Sequence, residues 1–372
     1  MPSPEQRLLR QVLRGELASW PAATEAGFDQ RFLDACLAQE VELLVHHQAR
    51  SSSAWQSWPA SVRDRLARAA RMQTAQDMLR ERELIGVLDA FAAVGIGTLL
   101  LKGAALAYTH YVQSALRPRC DTDVLIAPAD RAGAERVLEA LGYRRPNAVS
   151  GTLVSYEDLY RRSDGAVEHV IDLHWQVNNA QVFAQALSHD EMHARSVPVP
   201  QLGESARTLY PPHALLLACM HRAAHLGTDG AEGNRLIWLY DIHLLATDMT
   251  AVDWPEFAKI CVERQMRGIT LDAFACTHEA LGTEFPAGVV QQLRASAPDE
   301  ISAAYLNADR ARLLLTDLRA LPAWRERATL LRETCFPPAD YVLAKYRTRR
   351  RWLLPWLYVR RAVEGGRKFL RS

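Results

Sequence analysis

The sequence lacks the features that define several large classes of protein. Its six cysteines are scattered and contain no Cys-x-x-Cys pair, which argues against a disulfide framework or a zinc ribbon. No stretch approaches the ~18 uninterrupted apolar residues of a membrane span. The first residues contain no apolar segment typical of a secretory signal, and no internal repeat occurs. These absences predict a globular protein with reduced thiols, which we expect in the cytoplasm.

The charge of the chain is balanced overall but unevenly distributed. The 372 residues have a formal net charge of +1, while the segment from Lys345 to Ser372 has ten Lys or Arg residues against one acid. This segment therefore has a charge of +9, and the rest of the chain has −8. Aromatic and leucine residues lie among its arginines. The tail 347–372 could bind an anionic partner such as a membrane, RNA or an acidic protein, or pack its aromatics on the body of the protein.

The stretch from Gly97 to Ala127 is the one around which the chain is organised. A short apolar run predicts a buried strand, followed by a turn at Lys102 and Gly103 and a helix over 104–114. A second strand then carries Asp121 and Asp123. Side chains alternate along a strand, so these two carboxylates share a face. Adjacent carboxylates repel each other unless a cation lies between them, and hard oxygen ligands favour Mg²⁺ or Mn²⁺.

A third acid lies in a later strand-like segment, 167–177. Asp172 and His174 share one face of this segment. With the segment 151–161 before it, this stretch predicts a hairpin around Ser163, Asp164 and Gly165. The order is therefore a strand, a glycine turn, Asp-x-Asp, and a lone acid in a later strand.

These motifs resemble the uncharacterised nucleotidyltransferase family of the DNA polymerase β-like superfamily. They stand here as Lys102-Gly103, the segment Arg117 to Ile126 (RPRCDTDVLI), and the segment Ile171 to Trp175 (IDLHW). The resemblance covers about residues 60–346. One departure is visible, because Gly103-Ala104 replaces the Gly-Ser or Gly-Gly of the wider superfamily and offers no hydroxyl to a phosphate.

The resemblance implies a reaction and its cofactors. Asp121, Asp123 and Asp172 would hold two Mg²⁺ (or Mn²⁺) ions about 3.5–4 Å apart. The enzyme would transfer NMP from an NTP, with ATP the leading candidate, to an acceptor hydroxyl and release pyrophosphate. The acceptor class stays open among a small molecule, a peptide or protein, and an RNA end.

Further residues are candidates for nucleotide binding. A glycine turn followed by a helix N-terminus can approach a phosphate closely, and a nearby cation can pair with it. The ordinary alternatives are a surface lysine, charge balance for the acids, and a structural histidine hydrogen bond. The candidates are Lys102, Gly103, Ala104, Arg117, Arg119 and His174.

A pair of histidines lies four residues apart further along the chain. His221 and His225 share one helix face, but no Glu follows His221, so the zinc-protease pattern is incomplete. With Arg235 and Asp241 on the next predicted helix, they form a candidate nucleotide or acceptor pocket. Structural roles for both histidines stay open.

The predicted fold class is α+β, with a small mixed-sheet nucleotidyltransferase core inside a mostly helical frame. Helices are predicted over 29–49, 60–93, 131–141, 254–281, 286–295, 300–318 and 322–333, with an extended connector over 197–200. The predicted units are an N-terminal helical region 1–93, an α/β core 94–204, a helical domain 205–346 and the tail 347–372.

Two other classes of function stay open from the sequence. A nucleotide-binding regulatory protein could keep the pocket with little turnover, and the intact acids argue against it. An RNA-binding module using the tail would bind with a steep salt dependence and would not need the acids.

Overall fold

The computed structural model shows helices packed around one six-stranded mixed sheet, which confirms the α+β class. Residues from both faces of the sheet are buried. The residues that the structure describes are 2–22, 24–146, 149, 151–165, 167–229, 234–295, 300–307 and 309–369. The last three residues of the predicted tail, 370–372, lie outside this set.

The first helices are α1 (Pro4–Leu13), α2 (Phe28–Ala38), α3 (Glu42–Arg50) and α4 (Ala60–Ala93). Helix α4 spans the predicted 60–93. The prediction of a single helix over 29–49 is wrong, because the helix is interrupted between α2 and α3 at Glu40, whose φ is +57°.

The sequence predicts an apolar stripe along α4 that consists of Leu66, Met72, Leu79, Leu84, Leu88 and Phe91. Four of these residues are in the core, but Met72 and Leu79 are exposed, so the prediction is wrong at these two positions. Asp77 is buried in this part of the helix instead, where it pairs with an arginine at the site described below.

The sheet brings together strands that are distant in sequence. The strands are β1 (Thr98–Leu100), β2 (Thr122–Ile126), β3 (Glu157–Ser163), β4 (Glu168–His174), β5 (Val197–Pro198) and β6 (Arg207–Thr208). Their spatial order in the sheet is β3-β4-β2-β1-β6-β5.

The strand pairs include the predicted hairpin, which is formed by β3 and β4. β1 pairs with β2 antiparallel, and β2 pairs with β4 parallel. The predicted connector over 197–200 was wrong in part, because β5 and β6 pair and extend the sheet beyond β1.

Two helices flank the first strands. α5 (Lys102–Thr109) follows β1 directly, so the helix predicted over 104–114 begins earlier and ends earlier. α6 (Arg131–Ala140) follows β2 and ends just before Gly142, whose φ is +88°. This left-handed conformation is the one that glycine adopts most easily after a helix.

The rest of the described chain is mostly helical. The helix predicted over 254–281 is two helices, because Gln265 has a φ of +56° between them. The one predicted over 300–318 is a 3₁₀ segment, Ile301–Leu306, followed by an α-helix. The helices are α7 (Gln181–Ala184), α8 (His189–Ala194), α9 (Pro211–Asp229), α10 (Leu236–Asp248), α11 (Asp253–Glu263), α12 (Arg267–Leu281), α13 (Ala287–Arg294), α14 (Arg310–Ala320), α15 (Trp324–Cys335), α16 (Ala339–Lys345) and α17 (Leu354–Phe369).

The main apolar core runs through most of the chain. One cluster extends from Leu8 in α1 to Leu313 in α14 and covers one face of the sheet, including Leu99 and Leu125. A second cluster covers the other face with α4 and α6, including Val124 and Ile126. The boundaries 1–93, 94–204 and 205–346 stay a prediction.

All six cysteines are free. Three are buried and one is half-buried, while Cys120 and Cys335 are exposed. The cytoplasmic location stays a prediction. Within the described ranges, every helix is too short or too polar to cross a lipid bilayer.

A buried carboxylate ties α15 to the segment before β3. Glu333 accepts hydrogen bonds from the backbone N–H groups of Thr152, Leu153 and Val154 at 2.9, 2.9 and 3.0 Å. The Thr152 hydroxyl donates a fourth at 2.9 Å. Burial disfavours the charged form, but these donors outweigh it and lower the pKa of Glu333. The carboxylate therefore fixes a backbone turn as well as two distant segments.

We expect Glu333→Gln to lower the free energy of unfolding by about 1–3 kcal/mol at neutral pH, because an amide cannot satisfy four donors. Since the folded pKa is depressed, this stabilisation is complete above the usual glutamate value of 4.5 and is lost as the pH falls through the lower folded value. Urea titrations at several pH values should show the difference between variant and wild type shrinking in acid. Glu263→Gln, at an exposed ion pair with Lys259, is the control that should change little. An equal effect of both variants would contradict this role.

Candidate active site

Two of the predicted acids lie side by side because of strand register. β2 and β4 run parallel with Asp123 opposite Asp172, so both side chains project from the same face. His174 follows two residues later on that face. One ligand atom each from Asp123, Asp172 and His174 lie within 4.8 Å of one another. The structure therefore brings three predicted site residues into one cluster, which we call the acid cluster.

Asp123 is the most strongly bonded member of the acid cluster. Its Oδ1 lies 2.6 Å from Lys102 Nζ and 2.9 Å from His174 Nε2. Burial opposes ionisation, but the Lys102 charge and the His174 hydrogen bond outweigh it and hold the pKa of Asp123 well below its usual range. Lys102 has a left-handed φ of +48° at the start of α5, a strained conformation for a non-glycine residue. Strain at this position is typical of a functional site.

Asp172 has an oxygen that the protein leaves without a donor. Its Oδ1 is buried and has no hydrogen-bond partner among the described residues. Burial raises the pKa of Asp172 well above its usual range. The charge of His174 opposes this rise, while the negative charges of Glu157 and Asp123 add to it. A buried oxygen without a donor is expected to meet a cation or a ligand group.

Asp121 lies apart from the acid cluster. It precedes β2, is exposed, and lines the same cleft. Desolvation in the cleft and the charge of Asp123 raise the pKa of Asp121 to about 6. The sequence placed it with Asp123 on one strand face, and in the structure it is a wall residue at that strand's start.

Arg117 is paired with the protein itself. Its Nε and Nη2 donate to the two carboxylate oxygens of Asp241 at 2.9 and 2.8 Å, and its Nη1 donates to the Pro118 carbonyl at 2.7 Å. The Tyr111 hydroxyl also donates to Asp241, at 2.8 Å. Both charged side chains are 7% exposed. This bidentate pair joins the link before β2 to helix α10.

Arg119 is held in a similar way by α4. Its Nη2 lies 3.0 Å from Asp77 and donates to the Tyr108 hydroxyl. Its Nε and Nη1 are buried without a hydrogen-bond partner among the described residues. Arg119 therefore has two buried donor atoms for which the described residues provide no acceptor.

Gly103 is needed for close packing against Arg117. A Cβ at this position would lie 2.9 Å from Arg117 Cζ and 3.0 Å from its Nη2. The sequence assigned the glycine to a close approach by phosphate, and the structure places the Arg117 guanidinium there. Gly103 and Ala104 form the first turn of α5, beside the acid cluster.

We expect Gly103→Ala to destabilise the protein and weaken nucleotide binding, because the Arg117 guanidinium would have to leave its place against Asp241. Gly86→Ala is a matched control, since Gly86 lies inside α4 with nothing within 4 Å of the added Cβ. It should be neutral or stabilise by about 0.5–1 kcal/mol. Thermal unfolding of both variants tests this, and similar midpoints would contradict the packing argument.

The two histidines of α9 face the cleft with an aromatic partner from α10. The ring centroids of His221 and His225 lie 4.8 and 4.6 Å from that of Trp238. Burial and the nearby Lys102 charge lower the pKa of His221, which keeps this ring neutral. Arg235 lies with its Cζ 5.0 Å from the Trp238 centroid and pairs with Glu40 at 2.8 Å. The His221 ring is inclined by 76° and the His225 ring by 44° to the Trp238 ring plane, and all three residues line the same cleft as Asp123 and Asp172.

One cleft unites nearly all of these residues. Its volume is about 1090 Å³, which is large for a single small-molecule site. His174 and Asp241 are not on its wall, and act behind it on Asp123 and Arg117. The predicted residues that line the cleft are Lys102, Gly103, Ala104, Arg117, Arg119, Asp121, Asp123, Asp172, His221, His225 and Arg235.

Several site residues were missed from the sequence. Glu157 lines the cleft and lies 3.2 Å from His174 Nδ1. The predicted hairpin contained the signal, because pairing about its turn puts Glu157 opposite His174. Asn179 also lines the cleft, five residues after the end of β4, and Asp317 reaches it from α14. No local pattern marked these two.

Comparison with known proteins gives one match. A family model described as an uncharacterised nucleotidyltransferase matches residues 28–282, about two thirds of the chain. This range contains the acid cluster and both histidines of α9. No curated protein matches the chain.

Proposed function

Because the chain belongs to the uncharacterised nucleotidyltransferase family, we propose that it transfers NMP from an NTP to a hydroxyl-type acceptor and releases pyrophosphate. The observation that carries this proposal is the parallel register that places Asp123 beside Asp172 on the wall of a large cleft. Paired carboxylates of this kind serve metal-assisted transfer at phosphorus.

The donor set fits a hard divalent cation. Asp123 and Asp172 supply carboxylate oxygens, and Asp172 Oδ1 has no donor among the described residues. We propose that Asp123 and Asp172, with Asp121 at the cleft wall, hold Mg²⁺ or Mn²⁺. Such ions, two in the proposed mechanism, neutralise phosphate charge and make a hydroxyl a better nucleophile.

The residues of α5 and its surroundings would bind the triphosphate. The first-turn N–H groups of α5 lie at the positive end of the helix dipole and attract phosphate oxygens. Lys102 places a cation beside them, 2.6 Å from Asp123. Arg119 still has two N–H-bearing atoms without a protein acceptor in the described chain. The site thus offers both a helix N-terminus and cations to a polyanion.

The transfer itself needs few covalent roles from the protein. The acceptor oxygen forms a bond to the α-phosphorus, the bond from that phosphorus to the bridging oxygen breaks, and pyrophosphate leaves. The hydroxyl proton passes to a carboxylate of the site. His174 is a positioning residue, because it donates to Asp123 and is itself 1% exposed.

The rings of Trp238, His221 and His225 are the proposed location of the nucleobase. Aromatic rings stack on any base, so these rings favour no particular NTP. ATP remains the leading candidate. The cleft has room for an acceptor beside the nucleotide, and the acceptor class stays open among small molecules, peptides or proteins, and RNA ends.

The reaction class can be tested with labelled nucleotide. The protein is incubated with Mg²⁺, a cell extract as the source of acceptors, and ATP labelled at either the α- or the γ-phosphate. We expect α-label in an acceptor product and γ-label only in pyrophosphate. Transfer of γ-label to the acceptor would make the protein a kinase instead, and would contradict the proposal.

One observation favours a second candidate, a catalytically weak nucleotide-binding protein. Lys102 and His174 already balance the charge of Asp123 without a metal ion. Nucleotide binding that is unchanged by a chelator, with no transfer of either label, would support this alternative.

A further inference from the structure

The last two helices form a small unit with its own apolar contacts. Val342, Leu343 and Leu357 are buried against each other. α17 is also tied to the end of α15, because the Tyr358 hydroxyl donates to the Pro337 carbonyl at 2.7 Å and Arg361 donates to the Thr334 carbonyl at 2.8 Å. One face of α17 is thus fixed to the protein.

Another face of this unit is apolar and exposed. Trp352, Trp356, Val359 and Val363 are 72, 57, 62 and 49% exposed. Trp356, Val359 and Val363 are spaced three and four residues apart, which places them on one side of α17, and Trp352 lies in the 3₁₀ segment Arg351–Leu353 that leads into it. We call these four residues the exposed stripe. Single exposed apolar residues are ordinary on a protein surface, but four such residues in one short segment leave an apolar face in contact with water.

Arginines surround the exposed stripe. Arg349, Arg350 and Arg351 lie just before α17 and are exposed, and Arg360 lies within it. The Arg360 guanidinium lies 5.6 Å from the Trp356 ring centroid, so a cation borders the stripe directly. The tail 347–372 as a whole has nine basic residues and one acid.

We propose that the exposed stripe docks this protein on the surface of an anionic lipid bilayer. A helix with tryptophan and aliphatic residues on one face and arginines beside it lies in the headgroup region, with its apolar face against the acyl chains. Single-stranded RNA explains the arginines and tryptophans, but Val359 and Val363 have no ring on which a base could stack. The stripe lies outside the matched range 28–282 and does not line the cleft that contains Asp123 and Asp172, so docking is independent of the proposed transfer.

The test is co-sedimentation of the full chain with extruded vesicles. We expect binding to vesicles of equal parts phosphatidylcholine and phosphatidylglycerol, and none to phosphatidylcholine alone. Trp352→Ser/Trp356→Ser should weaken binding at least about tenfold, because it removes most of the apolar area that the bilayer would bury, without changing the charge of the protein. The matched control is Trp324→Ser/Leu331→Ser on α15, whose residues are 72 and 41% exposed and should not matter.

Three results would overturn the proposal. The wild type could fail to bind anionic vesicles, or Trp352→Ser/Trp356→Ser could bind them as tightly as the wild type. Single-stranded RNA could also displace the vesicles and bind the stripe variant unchanged, which would make RNA the partner. Circular dichroism checks that the variants fold. If Trp352→Ser/Trp356→Ser does not fold, Val359→Ser/Val363→Ser is tested in its place.

Discussion

Asp172→Asn will reduce nucleotidyl transfer by on the order of 10²–10³-fold while the protein keeps its fold. The amide is nearly the same size, but it removes the charge from the oxygen that has no donor among the described residues. Asp123→Asn should cost at least as much activity. It should also lower stability, because it leaves Lys102 and His174 without their shared partner. Incorporation of α-label into the acceptor measures the activity.

The matched control for these variants is Glu168→Gln. Glu168 lies on the same strand as Asp172, but is exposed and pairs only loosely with Arg161 at 3.4 Å. Its replacement should leave transfer within about twofold of wild type, since an exposed pair contributes little. Full activity of Asp172→Asn would contradict the role of the acid cluster.

Asp241→Asn will lower the free energy of unfolding by about 3–5 kcal/mol, because it leaves the buried Arg117 guanidinium without its counter-charge. Arg117 is 6% exposed and donates twice to Asp241. Urea denaturation of the wild type and the variant measures the loss. Arg117→Met/Asp241→Leu should regain much of the stability, because an apolar pair of similar volume needs no counter-charge.

The control for this pair is Glu40→Gln, which opens the more exposed pair with Arg235. The side chains of Glu40 and Arg235 are 33 and 26% exposed, so the free energy of unfolding should fall by less than about 1 kcal/mol. Arg117 was predicted from the sequence as a triphosphate contact. If Asp241→Asn and Arg117→Lys keep wild-type stability but lose nucleotide binding, then Arg117 is a ligand contact and the structural role is wrong.

The core of the site could be predicted from the sequence because its signals are local. Alternation within a strand puts Asp172 and His174 on one face, and the glycine turn marks the start of α5. The pairing of β2 with β4 was not predictable from alternation, and it is this pairing that puts Asp123 opposite Asp172.

The partners of the arginines were beyond the reach of sequence patterns. Arg117 and Asp241 are 124 residues apart, and no periodicity links a loop before β2 to a position in α10. Asp77, the partner of Arg119, was also missed. It lies on the buried side of α4, where the helical pattern predicts an apolar residue. β5 and β6 have two residues each, too few for alternation to appear.

Calorimetric titration of the wild type with each of the four NTPs, with Mg²⁺ and with a chelator in its place, tests the proposed metal-dependent nucleotide site. We expect at least one NTP to bind with Mg²⁺, and the chelator to weaken its binding about tenfold or more. Failure of all four nucleotides to bind, or binding that is equally tight in chelator, would contradict the proposed site.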